Sequence, residues 1–75
     1  MNEAIYLETL KYKIYLQVYC VERSNVPADK LREIGNIYQK IFGEKKINYG
    51  CKGCVDEVMH GVYNLLKAYE NTISK

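Results

Sequence analysis

At 75 residues and 8.8 kDa, the chain has room for one small domain spanning residues 1–75 and no second one. Its 48% apolar and 27% charged residues match globular usage and exclude a disordered tail, and eleven basic against nine acidic side chains leave only +2. That charge is too small to point to nucleic acid, and a domain this small buries only about 60% of its unfolded surface, so support from a partner, a metal or a covalent link is expected.

Two punctuated stretches divide the chain: Glu22-Arg23-Ser24-Asn25-Val26-Pro27, and Gly43-Glu44-Lys45-Lys46-Ile47-Asn48-Tyr49-Gly50. The first segment runs from Asn2 to about Glu22. Leu7, Leu10, Ile14, Val18 and Val21 recur at helical steps and predict one helix face. Asn2 suits the N-cap, and Glu3 suits the positive end of the dipole. A strand is the rival, because Tyr12, Ile14, Leu16, Val18 and Cys20 alternate with Lys11, Lys13, Tyr15, Gln17 and Tyr19. A lone strand has nothing to pair with, so helix is preferred.

The second segment covers Pro27 to Phe42. Pro27 fits position N1, Asp29 and Glu33 lie near the start, Lys40 lies in the last turn, and Gly43 fits the position after the helix. Leu31, Ile34, Tyr38 and Ile41 form its apolar stripe. Gly35 inside it costs about 1 kcal/mol of propensity and suggests a neighbouring helix close by. The third segment runs from near Cys51 to about Thr72, with Val55, Val58, Val62, Leu65 or Leu66, Tyr69 and Ile73 as the stripe and Gly61 as another close contact. The predicted fold is all-α, a small antiparallel three-helix bundle. The alternative is an N-terminal strand segment followed by two helices.

No apolar run approaches the roughly 18 residues of a membrane span. Met1-Asn2-Glu3-Ala4 lacks the basic region of a secretory leader. There is no phosphate loop, no dinucleotide glycine motif, no HExxH, and only one histidine. The chain is therefore expected not to be an enzyme.

Tyr49-Gly50-Cys51-Lys52-Gly53-Cys54-Val55 is the most chemically loaded stretch. Thiols three residues apart at a helix start share a side, and the free N–H groups and Lys52 favour thiolate. Cys51 and Cys54 make half of a tetrahedral zinc site. His60 lies about 240° round and about 9 Å along one helix from Cys54, so it cannot easily complete the site. Cys20 or a second chain is the remaining source of ligands. A thioredoxin-like redox pair would need a βαβ frame that does not fit here. The bland reading makes both thiols, and Cys20, small hydrophobes that seat the turn against the bundle. No cofactor is expected, with zinc as the exception to test.

Eight tyrosines are a high load for this length. Tyr12, Tyr15 and Tyr19 recur at steps of helical spacing and predict a second apolar face beside the leucine stripe, available to other protein subunits. Their neighbours Lys11 and Lys13 suggest base stacking beside phosphate contacts, but acidic residues interrupt every basic cluster, so nucleic acid is not the expected partner. Lys45-Lys46 reads as a solvated loop and His60 as a surface or packed residue.

The run Ile37-Tyr38-Gln39-Lys40-Ile41-Phe42-Gly43, a short polar loop, Gly50-Cys51-Lys52-Gly53-Cys54 and a following helix resembles small proteins of tailed bacteriophages of gut Bacteroidota, the crAss-like phages among them. The resemblance covers residues 28–70 and leaves the first segment outside it. Tyr49-Gly50 precedes the cysteines where a Ser or Thr cap would be expected. The resemblance implies a multi-copy structural part of a virion (head, head–tail connector or packaged cargo), found in the virion or the host cytoplasm. The alternative is a small zinc- or nucleic-acid-binding regulator built on Cys51 and Cys54.

Overall fold

The computed structural model describes residues 2–43 and 46–73, and among them it is all-helical, with no strand. Its elements are α1 (Glu3–Leu10), α2 (Lys13–Cys20), α3 (Ala28–Phe42) and α4 (Lys52–Ile73). Of the expected solvated pair, Lys46 is exposed and Lys45 lies outside the described residues.

The N-terminal segment is helical as preferred, but it is two helices rather than one, so four helices replace the expected three. Asn2 caps α1, its Oδ1 accepting the Ile5 N–H at 2.9 Å. The break follows Thr9, whose side chain is wholly buried and whose hydroxyl donates to the Ile5 carbonyl at 2.6 Å. Such back-bonding bends helices. The ladder then tightens to three-residue bonds, with Lys11 N–H on Glu8 at 3.2 Å and Tyr12 N–H on Thr9 at 2.9 Å. Tyr12 leaves helical geometry at φ −110°, ψ 7°, and its carbonyl opens α2 by accepting the Leu16 N–H at 3.0 Å.

The face turned inward is only in part the leucine stripe, since Leu10 and Val18 pack against the core. Leu7, Ile14 and Val21 are 54%, 65% and 61% exposed, while Leu10 and Val18 are half-buried. Leu16 is wholly buried instead, and Ile5, Tyr12 and Tyr19 pack with it against the core. Positions 5, 9, 12, 16 and 19 step by four and three, so they satisfy the helical period as well as the leucines do. The tyrosines bring larger apolar bodies, and Thr9 is tolerated among them because its hydroxyl is bonded.

Helix α3 starts at Ala28, with Pro27 one position earlier than expected, at the N-cap. It ends at Gly43, whose N–H bonds the Gln39 carbonyl at 2.9 Å and whose φ of 105° suits glycine. Ile34 and Ile37 are wholly buried. The close approach at Gly35 comes from the α3–α4 connection rather than from a helix: an added Cβ would run into the Tyr49 ring and stand 3.2 Å from Ile47 Cδ1. At Gly61 the helix contact is real, because Tyr38 of α3 would lie 3.2 Å from a Cβ there.

Helix α4 has 22 residues and is about 33 Å long. It packs against α1, α2 and α3 and supplies Val55, Val58, Met59, Val62 and Leu66 to the interior. Helix α2 runs antiparallel to it: Lys13 pairs with Glu70 at 2.7 Å, and the Tyr19 hydroxyl bonds Asp56. Helix α1 is tied by Tyr6 against Tyr69, ring centroids 4.6 Å apart, and by Glu8 to Lys40 at 2.9 Å.

Candidate functional site

The chain enters α4 through a bonded turn. Asn48 Oδ1 accepts the Gly50 N–H at 3.0 Å, and the Asn48 carbonyl accepts the Cys51 N–H at 3.1 Å. Cys51 then acts as the N-cap. Its carbonyl takes the first helical bond, from Val55 N–H at 3.0 Å, and its Sγ accepts the Cys54 N–H at 3.3 Å. The sulfur thus occupies the place of the Ser or Thr oxygen missing before the pair.

Cys54 Sγ donates to Cys51 Sγ at 2.6 Å, and both cysteines are free thiols. The Cys51 thiol is pulled below its ordinary pKa by that bond first, then by the backbone N–H groups of Cys54 and Gly53. Cys54 is pushed up by the same bond, with burial and the Cys51 charge adding to it. Both residues are half-buried and lie outside the hydrophobic core cluster, which Cys20 packs against. Cys20 fits the packing thiol: burial, then the Asp56 charge, push it up to about 11. Among the described residues no three His, Cys, Asp or Glu side chains gather as a metal site, so Cys20, one of the two ligand sources considered, does not join Cys51 and Cys54. His60 is exposed and meets the edge of the Tyr19 ring, centroids 6.4 Å apart.

An open cleft of about 670 Å³ adjoins the turn. Gly50 and Lys52, the residues on either side of Cys51, line it, together with Arg23, Asn25, Asp56 and His60. Arg23 reaches it from the α2–α3 reversal, which Ser24 N–H closes on the Val18 carbonyl at 3.0 Å. Arg23 holds φ 57° there, a left-handed conformation that disfavours residues with a Cβ. Asp56 is engaged on the cleft wall by the Tyr19 hydroxyl, whose pKa burial and Asp56 raise to about 12.

Tyr12, Tyr15 and Tyr19 are all half-buried and packed against the core. Lys30 of α3 stands 5.9 Å from the Tyr12 ring centroid and 5.8 Å from that of Tyr15. The outward apolar side chains of this segment are therefore Leu7, Ile14 and Val21, one every seven residues. Periodicity found that row and assigned it to the interior; the signal that it faces out is the competing row through Tyr12, Leu16 and Tyr19, which fills more volume.

The chain matches no protein-family model, no curated protein and no solved structure. Among the described residues no helix is long and apolar enough to cross a membrane.

Proposed function

We propose that the protein is a non-enzymatic component that binds other protein subunits in a multi-copy assembly, in the manner of a small phage virion part. The supporting observation is the outward row Leu7, Ile14 and Val21. Fully burying one such side chain is worth about 1.5–3 kcal/mol, so the exposed parts of three leave roughly 3 kcal/mol to be gained at a contact. A stable interface covers about 800 Å² per partner, and the whole chain exposes 5024 Å². The alternative regulator would use Cys51 and Cys54 as two zinc ligands and draw the other two from a second chain.

Native mass spectrometry of chelator-free protein over a concentration series tests both readings. Wild type is expected to assemble without metal, and the triple variant Leu7→Lys, Ile14→Lys, Val21→Lys is expected to be monomeric with its helix content kept. Wild type that stays monomeric throughout, or a variant that assembles equally, overturns the reading. Stoichiometric zinc shared between two chains would install the alternative.

A further inference from the structure

The Cys51–Cys54 turn carries more than a helix cap. Its two sulfurs stand 2.6 Å apart as free thiols, and a disulfide needs about 2.05 Å, so closure asks for little movement. The two sulfurs are not equivalent. Cys51 Sγ is the acceptor in both of its bonds, from the Cys54 thiol and from the Cys54 N–H, while Cys54 Sγ is the donor. The first is therefore arranged as the attacking sulfur and the second as the one that resolves. The neighbouring cleft is lined by Cys20 and by neither Cys51 nor Cys54, so the pair is approached from the surface of the turn, where both residues are half-buried.

We propose that Cys51 and Cys54 form a thiol–disulfide exchange site for small disulfides. The Cys51 thiolate attacks one sulfur of R–S–S–R; the Cys51–S–S–R bond forms as the original S–S bond breaks and the first RS⁻ leaves. Cys54 loses its proton and attacks the Cys51 sulfur, the Cys51–Cys54 bond forms, and the second RS⁻ leaves. The two protons of the pair end on the two RS⁻ groups. Two electrons pass from the protein to the disulfide, which is reduced to two thiols. The site is independent of the contact row on α1 and α2.

Reduced full-length protein treated with glutathione disulfide tests this by intact mass and peptide mapping. Wild type is expected to lose two hydrogens, with the link mapped to Cys51 and Cys54 and no glutathione retained. Cys54→Ser is expected to stop at a glutathione adduct on Cys51, and Cys51→Ser to react about tenfold slower. Timed alkylation of the reduced wild type reads the same order without a variant, with Cys51 labelled first and Cys20 last. Equal labelling of the two cysteines, or an adduct that persists in wild type, overturns the proposal.

Discussion

Leu16 and Ile14 sit two positions apart on α2 and face opposite ways, one wholly buried and one 65% exposed. Truncating each to alanine separates the face that stabilises the fold from the face that does not. Leu16→Ala removes buried methyl groups and leaves a cavity against the core, a loss of about 2–5 kcal/mol. The whole domain is worth about 4–11 kcal/mol at its length, so this one change removes about a fifth of it or more. At about 4–8 °C per kcal/mol, the Tm is expected to fall by at least about 8 °C. Ile14→Ala gives up only partial contacts and is expected to stay within about 0.5 kcal/mol. Urea and thermal unfolding followed by far-UV circular dichroism, at a concentration where the chain is monomeric, reads both values. Equal losses, or a larger loss for Ile14→Ala, would refute the inward assignment of the tyrosine face and restore the leucine stripe.

Tyr19→Phe removes the hydroxyl that bonds Asp56 and is expected to cost about 1 kcal/mol in the same unfolding assay. The raised values of Tyr19 (10.0 to about 12) and Cys20 (9.0 to about 11) mean that the unfolded chain ionises first. Their contribution to stability is therefore whole below pH 9 and is lost as pH rises to about 12; denaturation midpoints that stay flat across that range would contradict it. Gly35→Ala gains about 1 kcal/mol of helix propensity but collides with Tyr49, so net destabilisation is expected. In a Tyr49→Ala background the same change is expected to lose most of that penalty, and a double-mutant cycle showing no coupling would exclude the contact.

The helical class and the later helices are legible in the sequence because most cues there have one interpretation. Pro27 and Gly43 bracket α3 at its observed ends, and Val55, Val58 and Val62 of α4 are found by period, whereas the choice of Leu66 over Leu65, the burial of Met59 and the exposure of Ile73 are not. The first segment is apolar on two sides, and period cannot rank two rows that both obey it. In the structure Leu16 and Thr9 are the wholly buried residues of this segment, Thr9 with its hydroxyl bonded to the Ile5 carbonyl, and the tyrosines pack half-buried beside Leu10 and Val18. The break after Thr9, at Lys11 and Tyr12, is an effect a hydropathy pattern does not register. The cysteine turn is legible as a spacing, but the difference between its sulfurs is not. It arises from which thiol caps the helix and which one donates to it.

The break at Lys11 and Tyr12 also bears on how the molecule opens. Helix α1 is joined to the rest by a ladder that is already interrupted, and it is held by the Tyr6–Tyr69 stack, the Glu8–Lys40 ion pair and a few buried side chains. It can therefore leave the bundle as a unit without unwinding any turn of α2. Amide hydrogens of α1 are then expected to exchange with solvent through an opening of lower free energy than those of α4. The parts of α3 and α4 beneath α1 would be bared in that state while the remaining three helices stay packed.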